Sequence, residues 1–192
     1  MRLKLITGPD VEPITAADIV GRIGVNVGDI PTADLTAMIA SARRWVEDYT
    51  SRALIDQTLE LALDAFDSAP IELPRSPVSS ITSVKYTDTA GAEQTVNAAG
   101  YVLDDYDSVH RMLLAYGYAW PSPRVQPNAV RIRYVAGYGA DGTAVPEPIV
   151  QAIVLIVGYS YRAQPGRESG LYPAMIPNAA KELLGPFRLL AF

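Results

Sequence analysis

Between Leu35 and Leu63 the spacing of apolar residues changes from a helical period to a strand period within a few positions. Leu35, Met38, Ile39, Ala42, Val46 and Tyr49 recur at intervals of three and four, which places them on one helical face. Arg43, Arg44, Glu47, Asp48 and Ser51 fall on the other side. From Thr58 the period becomes two: Thr58, Glu60, Ala62 and Asp64 alternate with Leu59, Leu61 and Leu63, as in a half-buried strand. The reverse change comes over residues 129–139, where Val130, Ile132 and Tyr134 alternate with Arg131 and Arg133 ahead of a Gly-rich turn and a second helical run. Pro148 suits the first turn of that helix, where its missing N–H would have had no partner. The pattern predicts an α+β chain: a small helical bundle from residues 1–55 and 145–192, with an inserted, mainly antiparallel β module over residues 56–144.

Local signals fill in this outline. Thr15 followed by Asp18 has the spacing of an N-cap and an N3 carboxylate, predicting a helix over residues 16–23 that Gly24, Gly28 and Pro31 break. Thr32 reads as the cap of the main helix, which runs to about Arg52. Strands are expected near residues 59–66, 71–73, 81–87, 94–96, 101–103, 111–115 and 129–136, with Gly91 in a hairpin turn. Strands this short, with turns this frequent, favour an antiparallel sheet or a small barrel. Residues 164–177, rich in Pro and Gly, read as a loop, and residues 178–184 as a final short helix stopped by Gly185 and Pro186. The helix after Pro146 is apolar on more than one side and must be covered all round. The cover is expected from a neighbouring subunit packed on Ile149, Val150, Ile153, Val154, Val157 and Tyr161, or from the β module of the same chain.

With 192 residues and 49% hydrophobic content the chain can bury a proper core. It has no cysteine, so disulfides and thiolate metal sites play no part, and assembly in a reducing cytoplasm is permitted. The longest apolar run, residues 149–158 with Gln151 inside it, is shorter than the ~20 residues a membrane span needs, and the first 13 residues lack a signal-peptide core. No membrane association is expected. The net charge of -5 is unevenly spread: residues 56–145 hold 6 bases against 11 acids, while the flanking segments are nearly balanced. A protein that grips nucleic acid needs a basic stripe to displace counterions, and this chain has none. An acidic balance instead suits a passage through which DNA slides without sticking.

Two motifs invite a chemical reading. Gly137, Gly139 and Gly142 spell the G-x-G-x-x-G dinucleotide fingerprint between a strand and a helix, but no second parallel strand with a terminal acid follows, so a plain turn is expected rather than a ligand or cofactor site. Asp104, Asp105, Asp107 and His110 form a cluster without the central Gly or terminal Glu of a calcium loop, which reads as a solvated loop tip. His110 is the only histidine, and no nucleophile elbow accompanies it. No catalytic, cofactor-binding or metal-binding residue is assigned. The C-terminal stretch GPFRLLAF is unusually apolar for a chain end, and either folds back on its own helices or docks on a partner.

Three stretches in order, SARRWVEDYTSRALIDQT from Ser41, IELPRSPVSSITSVKYTDTAG from Ile71, and VRIRYVAGYG from Val130 followed by VPEPIVQAI, resemble the head-tail connector (adaptor) family of tailed bacteriophages and gene transfer agents. The W-V-E-x-Y-T-x-R-A-L-I and P-E-P-I-x-Q-A elements carry the likeness. The resemblance implies a structural protein without catalysis: a ring, homododecameric to match the portal, that joins a capsid portal protein to the neck (stopper) or tail-side proteins and leaves a channel for DNA. It also implies a place in the neck of a virion or phage-like particle assembled in the bacterial cytoplasm. Within that frame Leu183, Leu184, Phe187, Arg188, Leu189, Leu190 and Phe192 are the expected portal contact. The alternatives are a ligand-binding protein or enzyme using the Gly137 to Gly142 turn, and a different neck component such as a stopper or tail-completion protein.

Overall fold

The computed structural model of the protein describes residues 2–24, 30–67, 69–163 and 176–189. The chain divides into two compact units, each discontinuous in sequence: residues 1–9 with 56–140, and residues 10–55 with 141–192. The expected position of Gly28 and most of the expected loop at 164–177 lie outside the described residues.

The first unit consists of β1 (Arg2–Thr7), β2 (Gln57–Leu63), β3 (Ile71–Glu72), β4 (Val78–Thr87), β5 (Glu93–Thr95), β6 (Tyr101–Asp104), β7 (Arg111–Leu114) and β8 (Val130–Ala136). They form a five-stranded sheet in the order β1-β2-β8-β4-β5 and a three-stranded sheet in the order β3-β7-β6, with every pairing antiparallel. β8 is central because its alternation is the cleanest: Val130, Ile132, Tyr134 and Ala136 are buried, in line with Leu59 and Leu61 of β2 and Val84 of β4. Tyr134 lies at 0% exposure and donates its hydroxyl to the Pro74 carbonyl at 2.8 Å, which satisfies the one polar atom it carries into the core. Burial raises its phenol above the usual range. The other sheet face is polar. Arg133 pairs with Glu60 at 2.7 Å, and Lys85 and Arg131 converge on Glu93. Exposed pairs of this kind add little stability, but a one-residue slip would misplace all of them, so they reinforce the register.

β1 was not among the expected strands. Arg2 and Lys4 alternate with Leu3 and Leu5, but six residues at a chain end carry too little signal to be told from a tail. The structure pairs Leu3 with Leu61 and Leu5 with Leu59, which moves residues 1–9 from the expected helical unit into the β unit. As a result the chain crosses into or out of this sheet three times at one end, leaving after β1 and β8 and entering at β2: Thr7 lies beside Thr58, Gln57 beside Ala136, and the Asp56 N–H bonds the Gly139 carbonyl at 2.9 Å.

The second unit contains α1 (Ala16–Ile23), α2 (Thr32–Thr50), α3 (Glu147–Arg162) and α4 (Asn178–Leu184). Thr15 caps α1 by accepting from the Asp18 N–H, and Gly24 closes it in the left-handed conformation at φ 68°. Pro31, not Thr32, occupies the N-cap of α2 and supplies no side-chain cap. α3 packs against α1, α2 and α4, and this corrects the expectation about its cover. Ile149, Val150, Ile153, Val154 and Val157 are at most 5% exposed in the single chain. These packing partners all belong to the helical unit, and one approach is especially close: a Cβ on Gly158 would sit 3.2 Å from Ile23.

The polar side of α2 is also revised. Arg43 and Glu47 are buried, at 5% and 6% exposure. Arg43 donates from Nη1 to Glu47 at 2.8 Å and from Nε to Glu12 at 2.8 Å, and Glu47 accepts from the Leu54 N–H at 3.1 Å. The Arg43–Glu47 pair thus joins the segment that enters the unit, the main helix and the segment that leaves it. Removing one partner strands the others without compensation, so Glu47→Ala is expected to cost about 3–5 kcal/mol of stability. Arg44→Ala, one position from Arg43 but exposed, is expected to change it by less than about 0.5 kcal/mol. Urea unfolding of both variants measures this, and equal small losses would show that the buried pair contributes nothing.

Candidate functional site

The expected portal contact is divided by the fold. Leu184 is fully buried in the helical unit, and Leu183 is half-buried. Phe187 and Leu189 are half-buried and Arg188 is exposed, while Leu190 and Phe192 lie outside the described residues. The start of the tail is clamped to the end of α2. Arg52 Nε donates to the Phe187 carbonyl at 2.6 Å, and the Leu189 N–H donates to the Thr50 carbonyl at 2.9 Å. The Arg188 guanidinium lies 5.3 Å from the centre of the Tyr49 ring, which stacks on Trp45 at 4.9 Å and 14°. Of the two readings of this tail, residues 187–189 follow the first and fold back on their own helices.

The six residues expected at the subunit interface fare similarly. Five are core positions of α3, and only Tyr161, near the end of the helix, is half-buried. A single chain therefore leaves little of this set to offer a neighbour. The exposed apolar and aromatic residues lie elsewhere, among them Leu3 and Leu5 of β1, Val102 of β6, and the loop residues Tyr106, Tyr116 and Val125. Periodicity cannot find such residues, since it is silent about which strand stands at a sheet edge.

The glycine turn is built from bonds within the fold. The Gly137 N–H donates to the Pro77 carbonyl, and the Val145 N–H to the Gly142 carbonyl. Gly142 is there because a Cβ would lie 2.3 Å from the Pro13 carbonyl oxygen. Asp141 accepts from the Thr143 N–H at 2.8 Å and from its hydroxyl at 2.5 Å, and these bonds, the hydroxyl's foremost, hold its carboxyl below the usual range. These bonds to Asp141, which cap the short turn Gly142–Ala144, are therefore formed at neutral pH and lost as pH falls through that lowered value. A carboxylate at this turn opposes a phosphate. Beside it lies an open cleft of about 480 Å³ whose polar lining includes Glu12, Asp18, Asp141 and Glu147, with Arg22 paired to Glu147 at 2.6 Å.

The acidic cluster is likewise tied up locally. Asp107 accepts from the Ser108 N–H at 2.7 Å and pairs with Arg111 at 2.7 Å, and its carboxyl is held low chiefly by the former. His110 packs into the sheet junction, with Nδ1 3.0 Å from both the N–H and the carbonyl of Val78 and its own N–H bonded to Ser76 Oγ at 2.9 Å. Among the described residues no group of three or more acidic or histidine side chains is placed to hold a metal ion.

Taken together, these features define an α+β subunit of two discontinuous units linked by three crossings. No protein-family model matches the sequence, and no curated protein matches it. Solved structures do. The chain is similar to a chain in the virion of a native gene transfer agent particle, with a TM-score of 0.81, and to one in the neck of the empty particle computed with C6 symmetry, at 0.80. A third similarity, at 0.73, is to the neck of the native particle computed with C12 symmetry. Each is 26% identical and covers 100% of this chain and 97% of the other. The protein has the fold of a gene transfer agent neck component.

Gly142→Ala is expected to lower stability by about 1–3 kcal/mol, because backbone rather than a flexible side chain stands in the way. The variant and the natural protein should give the same flat calorimetric titration with NAD or ATP. Saturable micromolar binding by the natural protein would overturn the structural reading of the turn.

Proposed function

We propose that the chain is a head-tail connector (adaptor) subunit, a structural protein that forms a ring in the neck of a phage-like particle, binds the portal protein and leads to the tail-side proteins. One observation carries this reading: a match over the whole chain, at 26% identity, to chains of gene transfer agent necks computed with C6 and C12 symmetry. The connector elements read from Trp45 and from Pro146 support it independently. They fall in α2 with the segment leaving it, and at the start of α3. A ring of twelve matches the C12 neck and the count the family resemblance implies.

The function is geometric. In a ring each copy presents one surface to the next, and a heterologous contact closes only when its rotation divides the full turn. A helical unit held together by a buried ionic relay and a packed α3 presents a defined surface to such a contact. The portal contact falls to the C-terminal tail beyond its clamp on α2. The acidic β unit borders a channel that DNA traverses without binding, since a duplex would meet carboxylates rather than a basic groove.

Electron microscopy of the purified full chain, alone and with its portal protein, is expected to show rings; a single subunit under both conditions would overturn the proposal. Deleting residues 190–192, beyond the clamp, should leave thermal unfolding unchanged and abolish capture by the portal. Unchanged capture would move the contact elsewhere. An anisotropy titration with duplex DNA in about 20 mM salt, where screening is weak, should show no binding. Tight, salt-sensitive binding would reverse the conduit assignment.

A further inference from the structure

We propose that the apolar face of β1, carried by Leu3 and Leu5, is the surface on which a second copy of this chain docks. The inference rests on the ring reading above and specifies where the ring contact lies. Residues directly opposite each other in an antiparallel pair point to the same side of the sheet. Leu3 is opposite Leu61 and Leu5 opposite Leu59. The two β2 leucines are 0% and 4% exposed, whereas Leu3 and Leu5 are 39% and 53% exposed. The core face of the five-stranded sheet thus runs on past its cover and ends uncovered at β1.

The backbone reinforces the point. β1 is the outermost strand of its sheet, so among the described residues one row of its N–H and C=O groups has no partner strand. Edge strands are commonly protected by charge on the exposed side. Here the charges, Arg2 and Lys4, alternate onto the opposite face, opposite Ala62 and Glu60, and Arg2 is held by Asn128 at 3.0 Å. The leucine side carries no charge along the strand.

A second copy is the occupant because the chains this protein matches come from necks computed with rotational symmetry, in which every copy has an identical neighbour on each side. α3 offers such a neighbour little apolar surface, since Ile149, Val150, Ile153, Val154 and Val157 are already buried, whereas the leucine face of β1 is accessible. The surface that receives β1 is not another β1. Pairing β1 with itself would be isologous and would close a dimer rather than a ring.

The test compares the natural full chain with Leu3→Ser/Leu5→Ser, with Leu5→Asp alone, and with Val102→Asp, a control at another exposed apolar position. Assembly is followed by sedimentation and electron microscopy, and folding by thermal unfolding. The expected result is that both β1 variants unfold as the natural protein does but need at least about tenfold higher concentration to form rings, while Val102→Asp assembles normally. If the β1 variants form rings as readily as the natural chain, the docking site is wrong and the ring stands. If they form rings but no longer retain a tail-side protein, the occupant is that protein and not a second copy. If the natural chain forms no ring, the ring reading fails and this inference with it.

Discussion

The buried contact among Glu12, Arg43 and Glu47 sets the frame for the helical unit. A guanidinium at 5% exposure has lost most of its hydration and needs charged partners to offset that loss, which it finds in a carboxylate four residues on in the same helix and in one from the entering segment. The second oxygen of Glu47 takes the Leu54 N–H. The cost of burying these charges is met only when all three segments are in place, so the contact selects one arrangement of the chain more than it adds stability. The chain enters this unit at residue 10 and leaves it at residue 55, and the relay lies close to both points.

In the β unit the corresponding constraint is the single end of the sheet at which all three crossings lie. β2 and β8, distant in sequence, are neighbours through a seven-residue register from Gln57 and Ala136 to Leu63 and Val130. That register is fixed on one face by the burial of Leu59, Leu61, Ile132 and Tyr134 and on the other by the Glu60–Arg133 pair. β1 then adds to the free edge of β2 and inherits its register, which is why a strand with six exposed residues has a defined place at all.

For the proposed ring subunit, the distribution of uncovered apolar surface matters more than any single reactive group. The helix that looked most in need of a partner is satisfied within its own unit, and the tail that looked free is held for its first residues by Arg52, Thr50 and Tyr49. Among the described residues, what a lone chain leaves open includes the edge strand β1, Val102 of β6 and several loop residues. The physical reason is that helices can cover one another within one chain, whereas a sheet closed by no barrel always retains an edge.

The sequence by itself determined the α+β class and most of the elements, since their signals are local: the Thr15 cap and Gly24 stop of α1, the alternation of β2 and β8, the Pro148-marked first turn of α3 and the Gly185 stop of α4. It also carried the connector likeness, because the elements at Trp45 and Pro146 are contiguous strings. It could not show that Arg43 and Glu47 are buried, that α3 is covered by its own unit, or that residues 2–7 form a strand. Each of those depends on what lies across space from a residue: Glu12 from Arg43, Ile23 from Gly158, Leu61 from Leu3. Only the tertiary structure decides such pairings, because burial and edge position are properties of neighbours that the linear pattern does not name.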